Sequence, residues 1–211
     1  MFADRTEAGA ALAEAVARLD PENPVVLALP RGGVPVAAQV ARRLGAPLGL
    51  LLVRKLGAPG HEELAAGAVG EGAPPVTVFN PHVLAMLGLK EKDFATAIAE
   101  KAAQNADRAE KYLGGRPRPG VRGRIAIVVD DGIATGATVQ AALAVLRRQE
   151  PRRIVLAVPV APAEELAEIR ALVDDLICLE TPEPFIAVGA HYRHFPQTTD
   201  EEVIRLLAEA G

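Results

Sequence analysis

The chain contains no tryptophan, two tyrosines and five phenylalanines, so aromatic residues make up only 3% of it. A core must therefore be built from aliphatic side chains, and with half of the residues hydrophobic there are enough of them. Cysteine is almost missing too. Cys178 stands alone, which excludes an internal disulfide and a thiolate metal site, and its setting Leu176-Ile177-Cys178-Leu179 suits a small packed hydrophobe. Cationic surplus is absent: the formal net charge is -4. Such a chain is poorly suited to track the phosphates of an extended nucleic acid or an anionic membrane surface, although one small anion held at one point remains compatible. No stretch of eighteen apolar residues occurs, and Met1-Phe2-Ala3-Asp4-Arg5 carries acid early with no continuous apolar segment behind it. The expectation is a cytoplasmic protein with neither membrane nor nucleic acid as partner.

A length of 211 residues suits one core with a small appended lobe rather than two full domains. Ala8, Leu12, Ala15, Val16 and Leu19 follow helical spacing behind Asp4, an N-cap, with Glu7 three residues on. Val25–Leu29 reads as a strand, Pro30-Arg31-Gly32-Gly33 as a glycine loop, and Val34–Leu44 as a helix ended by Gly45. Leu48–Val53 is a second strand. The Gly-, Pro- and Ala-rich stretch from Gly57 to Pro75 reads as a long lid or binding loop, followed by a short strand over Val76–Phe79, a short helix over Pro81–Leu87 and a longer one over Lys90–Leu113. Residues 57–120 are thus expected to form an insertion, with Arg116–Gly120 as the linker back. Strand and helix then alternate from Arg124 to Leu179, and a last helix spans Asp200–Ala210. This alternation predicts an α/β fold with a doubly wound, mostly parallel sheet.

The most informative segment is Ile125–Val129 followed by Asp130-Asp131-Gly132-Ile133-Ala134-Thr135-Gly136-Ala137-Thr138. Two acids leave the carboxyl end of a buried strand, where open α/β sheets collect ligands. A small-residue turn then opens a helix whose free N–H groups, with the Thr135 and Thr138 hydroxyls, can cradle a phosphate. The segment lacks the Gly-x-x-x-x-Gly-Lys-Ser/Thr of a P-loop and the Gly-x-Gly-x-x-Gly of a dinucleotide site. Adjacent carboxylates ahead of a phosphate cradle suit a sugar phosphate, since acids accept hydrogen bonds from vicinal hydroxyls.

This order of parts resembles the motif with which type I phosphoribosyltransferases bind 5-phosphoribosyl-1-pyrophosphate. The resemblance implies that Asp130 and Asp131 take the ribose hydroxyls and that Ala134, Thr135, Gly136, Ala137 and Thr138 take the 5′-phosphate. Arg31, Gly32 and Gly33 resemble the family's pyrophosphate loop, which often holds a cis or strained peptide; Arg31 can pair with an anion through a bidentate fork. Arg54 and Lys55, in Val53-Arg54-Lys55-Leu56-Gly57-Ala58-Pro59-Gly60, resemble a cationic pair that neutralises the departing pyrophosphate. His61, Glu62, Glu63 and Gly67 correspond in order to the mobile loop covering the site. Residues 181–199 resemble the hood segment, in which Phe185 would stack on an acceptor base beside Tyr192, although Phe185, Tyr192 and Phe195 also suit the core of a small lobe.

The resemblance further implies magnesium, held mainly through the donor and water, and a homodimer. Ala134 stands where the hypoxanthine-guanine branch has an acid, and Tyr192 where some purine-specific members have one, so no acceptor base transfers. His191 and His194 have no third ligand nearby, and Asp174-Asp175, which follows no glycine cradle, is expected to be structural. A non-catalytic sensor of the donor or of a nucleotide is the alternative on the same fold, but the acidic chain shows no basic helix-turn-helix.

Overall fold

The structure, a computed structural model, describes residues 1–59, 61–72 and 74–210. Asp4 caps helix α1 (Arg5–Ala17) by accepting from the N–H groups of Thr6 and Glu7 at 2.8 and 2.9 Å. Strand β1 (Pro24–Ala28), helix α2 (Gly33–Leu44) and strand β2 (Leu48–Leu50) follow in the predicted order. Next come β3 (Val53–Ala58), β4 (His61–Gly70), β5 (Val76–Phe79), α3 (Pro81–Leu87) and α4 (Ala95–Leu113), with a 3-10 turn over Glu91–Phe94 ahead of α4. The chain finishes through β6 (Ile125–Val129), α5 (Ala137–Arg147), β7 (Arg153–Val160), α6 (Ala163–Ile169), β8 (Asp175–Glu180) and α7 (Asp200–Glu209).

The sheet order β2-β1-β6-β7-β8 is parallel throughout. Strands β1, β2, β6 and β7 are buried on both faces, which is why they read as apolar runs, whereas the edge strand β8 is half-buried. Alternate residues serve opposite cores: Val26, Ala28, Ile125, Ile127 and Val129 face the layer of α1, α2 and α7, while Val25, Leu27, Ala126 and Val128 face α5. The doubly wound sheet expected from the alternation of elements is present. Asp174 and Asp175 are structural, Asp174 accepting from the Ile154 N–H at 2.7 Å and Asp175 from Arg153. Cys178 is half-buried against the α5 face, where burial pushes its thiol up to about 11. No helix among the described residues is long and apolar enough to cross a membrane.

The stretch from Gly57 departs from the sequence expectation. Instead of a long loop, β3, β4 and β5 form an antiparallel sheet, with β4 in the middle and Gly67 in register with Leu56 and Phe79. The second strand is likewise shorter than predicted, and Val53 begins β3. Leu64-Ala65-Ala66-Gly67-Ala68-Val69-Gly70 carries few β-formers and gives little alternation, so nothing local marks it as a strand. Its structure comes from outside: Leu56, Ala66, Val69, Val83 and Phe94 close a separate apolar cluster, and the buried Asn105 of α4 donates through Nδ2 to the Val69 carbonyl at 3.0 Å. Gly60 and the side chains of His61, Glu62 and Glu63, assigned above to the loop, lie outside the described residues.

Ile127 sits fully buried at the middle of the central strand. Truncation to alanine at such a position is expected to cost about 2–5 kcal/mol, seen as a lower denaturant midpoint with an unchanged slope.

Candidate functional site

The sheet order reverses between β1 and β6, so the connections leaving their carboxyl ends turn to opposite faces and open a crevice between them. The β1 connection is the loop Pro30–Gly32, whose Pro30–Arg31 peptide is cis. The β6 connection begins with Asp130 and Asp131. The two meet at van der Waals distance. A β-carbon built on Gly32 would stand 2.0 Å from Asp131 Oδ2, and one on Gly33 would stand 2.7 Å from the Val129 carbonyl and 3.1 Å from Asp130 Oδ1. Any side chain at Gly32 would have to displace the carboxylate.

The acid pair is enclosed on its other sides as well. The Asp131 N–H donates to Asp130 Oδ1 at 2.9 Å, and the Tyr192 hydroxyl donates to the Asp131 carbonyl at 2.6 Å. Arg5 Nε donates to Asp131 Oδ2 at 2.8 Å, with both side chains largely shielded from solvent. Burial pushes both carboxyls above the usual carboxylate range, Asp130 furthest, because the neighbouring Asp131 charge adds to the rise there. At Asp131 the Arg5 guanidinium opposes the burial.

Beyond the acids, Gly136 takes a left-handed φ of 64° and caps α5 with no side-chain acceptor. Ala134, Thr135 and Thr138 are exposed around that helix start, Ala137 is half-buried and Gly136 is buried. Leu29, Pro30, Val53, Arg108 and Thr138 line a small cavity of about 40 Å³, so the β1 loop, the start of β3 and the α5 loop converge. A larger hollow of about 440 Å³ lies between α2 and α7. It has no part of the acid pair or of the α5 loop in its lining, and on chemistry the crevice is the better candidate.

Arg31 turns its guanidinium to Asp200 at the start of α7, 3.5 Å away, and Asp200 also accepts from Lys111 and, at 2.7 Å, from the Tyr112 hydroxyl. These hydrogen bonds, with Lys111 foremost, hold the Asp200 carboxyl down at about 2. Arg54 and Lys55 lie within β3 rather than in a turn after a strand. Lys55 is exposed; Arg54 is half-buried, and its Nε, shielded from solvent, has no hydrogen-bond partner among the described residues. Phe185 is half-buried and stacks on His191 with ring centroids 5.4 Å apart.

Tyr192 requires a correction. The resemblance pairs it with Phe185 as base-binding, but it is only 5% exposed, packed between Phe2 and Phe195, with its hydroxyl spent on Asp131. It holds the acid pair through the Asp131 backbone and offers no ring face to a base. Sequence reading also misses Arg5, whose partner lies 126 positions away, and Asp200, which the residue pattern marks only as the start of a helix. No local pattern signals either role.

The description "Phosphoribosyl transferase domain" matches residues 5–194 of the chain. Two Mycobacterium tuberculosis proteins, from strains CDC 1551 and H37Rv and each carrying the name "putative phosphoribosyl transferase", are 46% identical to it over 210 residues. That alignment covers 100% of this chain and 47% of theirs, so the chain spans about half the length of these relatives. The crystal structure of TT1426 from Thermus thermophilus is similar over 100% of this chain and 99% of that one, with 47% identity and a TM-score of 0.87.

The raised carboxyl of Asp130 sets a stability prediction. A group harder to ionise in the folded than in the unfolded chain costs stability as pH rises from its unfolded value, about 4, through its folded one. Asp130→Asn retains the acceptor for the Asp131 N–H and cannot ionise. It should melt above the parent at pH 7, with the gap closing below about pH 4 in a series of thermal melts.

Proposed function

The chain belongs to the phosphoribosyl transferase domain family, and from that premise we propose that it transfers the 5-phosphoribosyl group of 5-phosphoribosyl-1-pyrophosphate to a nitrogenous base and releases pyrophosphate. The observation that carries this reading is the acid pair at the sheet's reversal point, held between a glycine loop in contact with it and a helix start with no capping side chain.

On this reading Asp130 and Asp131 accept hydrogen bonds from the ribose hydroxyls, and the backbone from Ala134 to Thr138 receives the 5′-phosphate at the positive end of α5. Arg31, on leaving Asp200, and the backbone of the Gly32-Gly33 loop would receive the pyrophosphate; the Gly33 N–H itself is already donated to the Leu29 carbonyl at 3.1 Å. Arg54 is brought to the pyrophosphate by the family resemblance, and its shielded Nε, without a partner among the described residues, would be satisfied by an anion. Lys55, next in β3 and so on the opposite face of that strand, is the second cation the resemblance implies, and the β3–β4 hairpin stands, in chain order, where the family's covering loop stands. Phe185 remains the candidate platform for the acceptor ring; Tyr192 is withdrawn from that role.

The described residues include no group of three or more His, Cys, Asp and Glu side chains placed to hold a metal. Magnesium, which the family resemblance implies, would enter with the donor and would supply positive charge to it. The chain's own contribution is positioning and charge stabilisation at the separating pyrophosphate.

Pyrophosphate release should be measured with the donor, magnesium and a panel of free purines and pyrimidines, beside a thermal-shift titration with the donor alone. Release with one base is expected, and Asp130→Asn/Asp131→Asn should lower it by at least about 100-fold. A double variant with parental kinetics would refute the site. Donor-induced stabilisation without release from any base would instead favour a sensor.

A further inference from the structure

Arg5 occupies a costly place. It is the first residue of α1, where the helix dipole disfavours a cation, and its side chain is only 11% exposed. The guanidinium bridges the acid pair and the C-terminal segment. Nε donates to Asp131 Oδ2 at 2.8 Å, Nη1 donates to the Pro196 carbonyl at 2.7 Å, and the planar group lies 3.7 Å over the Phe195 ring. The backbone anchors this arrangement. Phe2 pairs with Tyr192 as a parallel bridge, with its N–H on the His191 carbonyl and the Arg193 N–H on its own carbonyl, both at 2.9 Å. The segment ahead of α1 is thereby stitched to the segment that overlies the acids.

We propose that Arg5 is the positioning residue of the acid pair: it holds Asp131 against Gly32 and fixes the pair's negative charge on Asp131 rather than Asp130. Adjacent carboxylates in a shielded corner resist ionising together, so a cation that touches only one of them decides which carries the charge. The other polar groups facing the pair do not make that choice. The Tyr192 hydroxyl is on the Asp131 backbone carbonyl, Arg31 is turned to Asp200, and Glu180 at the end of β8 is paired with the Met1 amino group. Burial raises both carboxyls, and Arg5 offsets this chiefly at Asp131. The consequence for donor binding rests on the function proposed above; the assignment of charge does not.

The full chain can test both parts. In the native protein, carbon-detected NMR of the Asp130 and Asp131 carboxyls and nitrogen-detected NMR of Arg5 Nε should show Arg5 and Asp131 moving through one shared titration, with Asp130 ionising at higher pH. Independent curves for Arg5 and Asp131 would overturn the proposal without any variant. Arg5→Gln should raise the Asp131 titration by about one pH unit or more, a tenfold change in proton affinity, and weaken binding of the magnesium–donor complex about tenfold. Arg5→Lys, which keeps the cation, should recover most of both. A lysine variant as impaired as the glutamine one would show the loss to be one of packing and would overturn the idea. Added to Asp131→Asn, Arg5→Gln should weaken donor binding no more than about twofold further, whereas a full second tenfold loss would mean that Arg5 acts elsewhere. A parent that binds no donor would defeat the proposed function, and the carboxyl titrations would still decide the role of Arg5.

Discussion

Two adjacent carboxylates at the end of a buried strand are the constraint around which the rest of this molecule is arranged. Burial works against their ionisation, so they persist only with specific company: a backbone N–H on Asp130, a guanidinium on Asp131 and a phenol on the Asp131 carbonyl. Each partner comes from a different part of the chain. The parallel sheet brings β1 beside β6, the C-terminal segment supplies Tyr192, and the N-terminal helix supplies Arg5. The fold thus gathers at one point groups that the sequence scatters over almost its whole length.

What was legible in the sequence follows from the range of the interactions involved. The main sheet could be read because parallel strands buried on both faces carry a strong local signature, and the helices because Asp4, Gly45 and Gly114 mark their ends. The phosphate cradle could be read because its residues are contiguous, from Asp130 to Thr138. The second sheet could not, because β4 is built of small residues whose strand conformation is imposed by β3, β5 and α4. Tyr192 was legible as an aromatic for either a base pocket or the core of a small lobe, and it sits in that core. Its burial depends on Phe2, at the other end of the sequence.

The division into two sheets also separates two mechanical roles. The parallel sheet and its two apolar layers place the acids and the α5 loop on stiff elements. The smaller sheet rests on its own cluster around Leu56 and Phe94 and reaches the crevice through Val53. The two remain coupled along α4: Asn105 holds β4, and further along the same helix Lys111 and Tyr112 meet the Asp200 carboxylate that also receives Arg31. The smaller sheet and the β1 loop are thus joined by contacts along one helix.

The contact between Gly32 and Asp131 has a consequence for how this sequence can change over generations. With only 2.0 Å between a would-be β-carbon and the carboxylate oxygen, the two positions are not free to drift one at a time. A side chain at Gly32 is tolerable only after Asp131 has shortened or moved, and losing Asp131 first leaves the Arg5 charge stranded in a shielded site. Gly32, Asp131 and Arg5 are therefore coupled positions, at which the effects of substitutions should not add.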